Sequence, residues 1–554
     1  MNIDDRNVAD IVSRVVARLK EKGVVSTHSQ AGHVAGADRV GALAREAVAG
    51  GAASATTTNT WKRTPLADND RPIKRKYVLP PVESEPAARQ PEANPTKPAP
   101  CPLNIVSKSA PGSGIYEDIE SACQASARAQ AQYAKMGFNA RFAVIEALRK
   151  AALANLERWS NEAVAETGMG RIEDKIQKNR LVALKTPGPE YLQRPETFAG
   201  SDGLASTRLD PFGIVAAVAP CTNSTETIIN NGISMLSAGN SVVFNPHPIA
   251  RRVSADTVRT LNQAIAAAGG PGELLCCIQE PTIDSANLLM RHSLIGLVMV
   301  TGGGAVVDSA MKSGKRAICA GPGNPPAVVD ESADLERAAR SLVAGASLDN
   351  NVVCTDEKAI LAVAAIADSL KVLLLKHGCV EVTGKDVQRL TELVLFEQGG
   401  PGRHGAPNKK LVGKTPAFIL RQMGIEVDER VRCILVDVDK DHPLMWTEQL
   451  MPVLPLCRLP DAESAIVHAA AVEGGRRHTA SIYSQRLDRI TRFVNLMNCS
   501  ICVVNDSNFA GLGLGGEGYT SFSIATPTGE GLTTARTFSR ERRLAICAGG
   551  LQRF

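Results

Sequence analysis

LIGLVMVTGGGAVVDSAMKSG, residues 294–314, decides the fold. An apolar run of strand length ends at Thr301 in three glycines, and a helix-like stretch follows. Glycines at such a turn let the backbone approach a dinucleotide closely, and the N-terminus of the next helix favours phosphate. The spacing is not G-x-G-x-x-G, so the turn is also compatible with an ordinary strand–helix connection. Working outward, similar apolar runs recur as GIVAAVAP (213–220), SVVFNP (241–246) and PAVVD (326–330), separated by helix-like stretches. A second alternating block runs from Ala359 to Val504, and 117–158 is Ala-rich and helical. Strands alternating with helices predict an α/β fold whose mainly parallel sheets are covered on both faces.

The chain has 554 residues, with 62 basic and 57 acidic side chains and 44% hydrophobic residues. A net charge of +5 over this length gives no reason to expect nucleic acid or an anionic membrane surface as a partner. No run is apolar and long enough to span a bilayer, and no secretory signal precedes the body, so a cytoplasmic protein is expected. The 13 cysteines are then free thiols. One close pair, Cys499 and Cys502, stands alone without a second pair, so no metal site is expected.

Val8, Ile11, Val12, Val15, Val16 and Leu19 form one apolar stripe, which predicts an amphipathic helix over 1–22. Residues 23–111 read as a disordered Pro/Ala-rich linker, with ten of the 31 prolines between Pro65 and Pro102. A short amphipathic helix on a long tether is suited to docking on another protein.

Two features bear on chemistry. Cys354, in DNNVVCTDEKAI, follows a polar loop and precedes the strand-like run Ala359–Val363, where a thiol can face a cleft. Cys276 and Cys277 sit within an apolar run and read as small core hydrophobes. The glycine-rich GLGLGGEG (511–518) reads as a turn lining a cleft. Residue type alone leaves Cys354 open as either core or nucleophile.

The body, from about 115 to 545, resembles the aldehyde dehydrogenase superfamily, and specifically the CoA-acylating propionaldehyde dehydrogenases of bacterial microcompartments. The strings carrying the resemblance are ETGMGRIEDKI, TPGPEYL, PFGIVAAVAPCTNSTETIINNGISMLSAGNSVVFNPHP, VTGGGAVV, AGPGNPPAVVD, DNNVVCTDEKA, TEQLMPVLPL and FAGLGLGGEG followed by IATPTGEG. The resemblance implies a Rossmann-like NAD- and CoA-binding domain over 112–345, a catalytic α/β domain over 346–525 and an oligomerisation arm over 526–554. It implies Cys354 as nucleophile and Asn223 as oxyanion-hole amide, with Thr222 one residue away as rival. It places the cofactor on Thr301, Gly302, Gly303 and Glu448, flanked by Pro220, Asn245 and His247, and a substrate or CoA cleft at His478 and Ile482.

Hydrolytic members of the superfamily carry a water-activating glutamate between the glycine turn and the cysteine. Here the only glutamates between Thr301 and Cys354 are Glu331 and Glu336, in a stretch that reads as the start of an exposed helix. An enzyme whose thioester is resolved by a thiolate has no need of that base. Asn245 replaces the family's lysine after the strand, and Pro248 replaces the glutamate three positions on, which leaves NAD over NADP a preference. The expected activity is NAD-dependent oxidation of propionaldehyde with transfer of the acyl group to coenzyme A. Acetaldehyde is the alternative substrate, a hydrolytic dehydrogenase the alternative enzyme, and a shell-tethering scaffold the non-enzymatic alternative. The resemblance further implies a homodimer or homotetramer in a microcompartment lumen, with 1–22 docking on a shell protein or core enzyme.

Overall fold

The computed structural model describes residues 113–547. The helix expected over 1–22 and the linker expected over 23–111 lie outside the described residues.

Two parallel sheets form the body. In spatial order the first consists of Ile115–Tyr116, Leu275–Ile278, Ser241–Pro246, Ile214–Ala219, Ile295–Thr301 and Ala317–Ala320. From Ile214–Ala219 the chain builds to one side, then returns to add Ile295–Thr301 on the other. Strand order therefore reverses between those two neighbours, and ligands bind in such sheets at the carboxyl ends of the strands at the reversal. Those ends carry Pro220–Asn223 and Thr301–Gly303. Alternate residues enter different cores: Val215, Ala217, Leu297 and Met299 one, Ala216, Val298 and Val300 the other. Burial of both faces explains why these strands read as continuous apolar runs.

The second sheet has the order Cys379–Glu381, Cys433–Val438, Val453–Leu459, Ala359–Val363, Pro326–Val329, Thr479–Tyr483 and Ile501–Val504, again parallel throughout. It begins at Pro326, not Ala359. The change of sheet falls at 321–325, ahead of the expected boundary at 345, because the strand in AGPGNPPAVVD pairs with Ala359–Val363 and Thr479–Tyr483. The helix Leu335–Ser347 packs on this second sheet through Ala338 and Leu342. Residues beyond Val504 return to the first core, where Phe509, Leu512, Phe522, Ile524 and Phe538 are buried.

A three-stranded antiparallel sheet stands apart, formed by Glu196–Gly200, Gly203–Pro211 and Ser539–Ile546. The last strand lies in the expected arm, but its two partners come from far earlier in the chain. Glu196–Gly200 is exposed along its whole length.

Candidate active site

Cys354 sits on a turn between the 3-10 segment Leu348–Asn351 and the strand Ala359–Val363. Three consecutive residues before it, Asp349, Asn350 and Asn351, hold φ of 49°, 55° and 64°. Asp and Asn tolerate this left-handed region better than other side chains, and each such residue still costs of order 1–3 kcal/mol. Local bonds hold them there. The Asn350 amide donates to the Gly413 carbonyl at 2.8 Å, and its Oδ1 accepts from Arg171 Nε at 2.8 Å. The Asn351 amide donates to the carbonyls of Ala346 (2.7 Å) and Glu357 (3.0 Å). Lys358, fully buried, donates to Asn351 O (2.9 Å), Asn351 Oδ1 (2.5 Å) and Val353 O (3.1 Å). Asp356 Oδ2 accepts from Val353 N at 2.9 Å. Burial raises the pKa of Asp356 well above the ordinary carboxylate range.

Gly323, in the segment joining the two sheets, shows what meets at this turn. A Cβ there would lie 2.7 Å from Cys354 O and 3.0 Å from His478 Cγ, so only a glycine lets the two elements close on each other. Its N–H donates to Glu448 Oε1 at 3.3 Å. Cys354, Glu448 and His478 thus come together around one residue. Burial pushes the Cys354 thiol up to about 12; the Glu448 carboxylate adds to this, while Lys358 opposes it. Burial likewise raises the pKa of Glu448. His478 is fully buried, its Nδ1 paired with Thr479 Oγ1 at 2.9 Å and its Nε2 without a protein partner. Burial first, then Lys358 and Arg476, hold its pKa at about 3, so the ring is neutral.

Glu448→Gln tests this electrostatic reading. Removing the neighbouring negative charge is expected to lower the Cys354 pKa and to speed its alkylation by iodoacetamide at pH 8. The gain is about tenfold for each unit the pKa falls, because the thiolate is the reacting form. The measurement is the pH profile of modification, followed on the Cys354 peptide by mass spectrometry. An unchanged profile would mean that the carboxylate does not act on the thiol.

Asn223 begins the helix Ser224–Ser237, at the carboxyl end of the strand Ile214–Ala219. Its Oδ1 accepts from Lys178 Nζ at 2.5 Å, and its Nδ2 reaches Thr222 Oγ1 at 3.4 Å. Thr222 gives its carbonyl to Lys175 Nζ at 3.2 Å. Of the two rivals, Asn223 is the one whose side chain is locked by a buried partner.

The glycine turn after Thr301 is open. Gly303 precedes the helix Gly304–Met311 without a side-chain cap, and a Cβ at Gly303 or Gly304 would meet nothing within 4 Å. None of Gly302, Gly303 and Gly304 has positive φ; a Cβ at Gly302 would lie 2.9 Å from Val306 Cγ1, so close approach is open at Gly303 and Gly304. Thr301 Oγ1 pairs with Ser523 Oγ at 3.1 Å. A pyrophosphate fits this turn, with free N–H groups at the helix N-terminus and no side chain in the way. Pro220 lies half-buried at the end of the neighbouring strand.

Of the other expected site residues, Asn245 and Ile482 are buried, and His247 stands exposed just after the strand Ser241–Pro246. Asn245 is buried, accepting from Ser285 Oγ at 2.6 Å and donating to Thr282 O at 3.4 Å, so it supports the capping box of the helix Ile283–Arg291. His247 is exposed and caps its own turn, accepting from Ile249 N at 3.3 Å. Ile482 is fully buried in the second sheet's core, on the same strand face as Ala480. Glu331 pairs with Arg489 at 2.6 Å, and Glu336 with Lys376 and His377, so both glutamates between Thr301 and Cys354 are engaged at the surface.

Sequence reasoning missed Lys175, Lys178, Lys358 and Gly323. Lys175 and Lys178 are spaced i, i+3 in the helix Ile172–Lys185, which puts them on one face, yet nothing in that spacing marks a buried face.

The profile of the Aldehyde dehydrogenase family matches residues 105–385 and 432–528. The acetaldehyde dehydrogenase (acetylating) of Salmonella typhimurium is 44% identical over 434 residues, covering 78% of this chain and 92% of that protein. The crystal structure of Rhodopseudomonas palustris propionaldehyde dehydrogenase, with bound CoA and an acylated cysteine, is 44% identical with a TM-score of 0.76, covering 78% of this chain and 98% of that one. A propionaldehyde dehydrogenase from the Clostridium phytofermentans fucose utilisation microcompartment is 41% identical with a TM-score of 0.75, with coverage of 78% and 98%. With a profile matching most of the chain and a curated relative 44% identical over nearly its whole length, the chain belongs to the aldehyde dehydrogenase family.

Proposed function

We propose that this chain is a CoA-acylating aldehyde dehydrogenase that oxidises propionaldehyde, or another short aldehyde, through a thioester on Cys354. The observation that carries the reading is the Cys354 turn itself. It meets Glu448 and His478 at the junction of the two sheets, beside the strand ends that bear Asn223 and the Thr301–Gly303 turn. The two glutamates that could have supplied a hydrolytic base between Thr301 and Cys354 are held at the surface.

Cys354 Sγ adds to the aldehyde carbonyl as the thiolate, forming a C–S bond and an oxyanion. The Asn223 amide and the Cys354 N–H stabilise that oxyanion; one such donor is typically worth about 3 kcal/mol. The Thr301–Gly303 turn and Glu448 would hold a dinucleotide, which would supply the hydride acceptor. Loss of the C–H hydride restores the carbonyl and leaves an acyl group on Cys354. The thiol of CoA then attacks, its C–S bond forms as that to Cys354 breaks, and acyl-CoA departs. Covalent catalysis here divides one difficult acyl transfer into two easier steps.

NAD over NADP is a preference and not an exclusion, because Pro248 supplies no carboxylate to repel a 2′-phosphate. The exposed three-stranded sheet, with Phe198 and Leu544 uncovered, suits an arm that pairs subunits into a homodimer or homotetramer. Residues 1–22 would dock the enzyme inside a microcompartment. Acetaldehyde is the second substrate reading, favoured by the acetylating relative.

The deciding measurement is NADH formation from propionaldehyde and from acetaldehyde, with and without CoA. Sustained turnover only with CoA, faster with propionaldehyde, is the expected result. Equal turnover without CoA would make water the acyl acceptor and Glu448, the carboxylate at the thiol, the base to test next. Preference for acetaldehyde would correct the substrate.

A further inference from the structure

A buried charge cluster links the two halves of the candidate site. Lys178 Nζ has three partners: Asp349 Oδ2 at 2.6 Å, Asn223 Oδ1 at 2.5 Å and Glu226 Oε1 at 3.1 Å. Asp349 Oδ2 also takes Lys175 Nζ at 2.8 Å, its Oδ1 accepts from Arg171 N at 2.7 Å, and its own N–H donates to Asp174 Oδ2 at 2.8 Å. Lys175, Lys178, Asp349 and Glu226 are all essentially inaccessible, so two cations face two anions away from solvent. Burial opposes the Lys178 ammonium, but Asp349 and Glu226 outweigh it and raise its pKa. Two of its N–H donors are hydrogen-bonded, to Asp349 and Asn223, and Glu226 adds an ion pair.

The consequence falls on Asn223. An asparagine at the start of a helix ordinarily turns its side chain onto the free N–H groups of the first turn. Here Asn223 makes no such bond. Its Oδ1 is claimed by Lys178 instead, and an ammonium, which has no acceptor, can bind only the oxygen end of an amide. The NH2 end is therefore turned away from the lysine, and its one contact is the long 3.4 Å approach to Thr222 Oγ1. It remains a donor with capacity to spare. The same lysine grips Asp349, the first of the three left-handed residues that lead to Cys354.

We infer that Lys178 is a positioning residue: it sets the orientation of the Asn223 amide and, through Asp349, ties that amide to the turn carrying Cys354. The inference rests on Asn223 and Cys354 having the roles proposed above. Lys178 touches no reacting atom; it fixes which end of Asn223 is presented.

The test is a double-mutant cycle in the full-length enzyme. Its variants are Asn223→Ala, Lys178→Met and the two combined, with Lys178→Met/Glu226→Gln as a charge-balanced form should the single lysine variant fail to fold. Each is assayed for kcat and KM of CoA-dependent NADH formation and for the rate of Cys354 alkylation. Asn223→Ala is expected to lower kcat about 100-fold, the lower end for loss of one oxyanion donor. Each folded Lys178 variant is expected to lose at least tenfold in kcat with KM little changed. In the Asn223→Ala background the lysine substitution should cost almost nothing more, because its effect runs through that amide. Cys354 alkylation, which needs no oxyanion donor, should stay within about twofold of wild type. Fully additive losses, or kcat and alkylation falling together, would overturn the inference by showing that Lys178 only supports the fold of the turn. Wild-type kcat in the folded Lys178 variants beside a loss in Asn223→Ala would overturn it while leaving the site assignment intact. Wild-type kcat in Asn223→Ala would overturn the site assignment and this inference together.

Discussion

Cys354→Ala is expected to abolish aldehyde-dependent NADH formation, a loss on the order of 10⁴-fold or more, as for removal of other covalent nucleophiles. In the proposed mechanism Cys354 holds the acyl chain between oxidation and transfer. Stability should change little, within about 1 kcal/mol, because the side chain is small, half-buried and at the edge of the first core. The intermediate is itself measurable. Wild-type enzyme given propionaldehyde and NAD without CoA should gain one acyl group on the Cys354 peptide, and the variant should gain none. Cys221 is the informative control. It is also half-buried and lies in the PCTN turn, two residues from Asn223, but it packs with Ala163, Ala250 and Val253 in a small apolar cluster. Cys221→Ala should retain both turnover and the adduct. Acylation of Cys221 instead would move the nucleophile to the other sheet and leave the Cys354 turn without a purpose. Unimpaired turnover in Cys354→Ala would remove covalent catalysis from the reading, and no aldehyde-dependent turnover in either protein would favour the scaffold alternative, for which Cys354 is dispensable.

What the sequence made legible, and what it hid, follows from burial. The strands of both sheets are apolar on both faces, so runs such as GIVAAVAP and LIGLVMV announce themselves. Cys354 stands between the polar stretches DNN and TDEK, which leaves it open as core or nucleophile, and only the family resemblance gives it the nucleophile's role. Pairing is another matter. PAVVD reads plainly as a strand, but its partners, Ala359–Val363 and Thr479–Tyr483, lie far along the chain, and nothing local says that it opens the second sheet. The hairpin of Glu196–Gly200 and Gly203–Pro211 escaped notice because its outer strand buries nothing and so has no alternation to read. The resemblance alone puts Asn245, at the position of the family's lysine, and Ile482 in the site. Strand parity puts Ile482 with Ala480 in the core, and the helix cap at Thr282 claims Asn245. Buried lysines are the hardest case. Lysine is almost never fully buried unless paired, so Lys175 and Lys178 read as solvated charge until their carboxylate partners, more than 40 residues away in sequence, are seen beside them.

Asp349 is where stability and site geometry are most tightly joined, and Asp349→Ala is expected to destabilise the fold by about 3–5 kcal/mol, the usual cost of removing one partner from a buried ion pair. Lys178 would keep only Glu226 as an anionic partner, Lys175 would lose the carboxylate it is paired with, and the backbone N–H of Arg171 would lose its acceptor. Gly170 adds a steric reason for the aspartate: its φ is +82°, and a Cβ there would collide with Asp349 Oδ1, so the carboxylate fills space that only a glycine leaves. Alanine would also have to occupy a left-handed backbone that aspartate and asparagine tolerate better. Asp349→Asn keeps the backbone preference and one acceptor, so it should cost less than alanine. The pH dependence has a definite sign. The two lysines outweigh burial and hold the Asp349 pKa below its ordinary value. Its stabilising contribution is therefore fully present above the unfolded-state pKa of about 3.9. It is lost only as pH falls from there through the folded-state pKa. The difference between wild type and Asp349→Asn in chemical denaturation should accordingly be constant from pH 6 to 8 and close in acid. It should also be insensitive to salt, since no solvent reaches the cluster. A cost below 1 kcal/mol that shrinks with added salt would be the behaviour of an exposed pair. It would mean that water enters beneath the Cys354 turn and that the three left-handed residues are held by Asn350 and Asn351 alone.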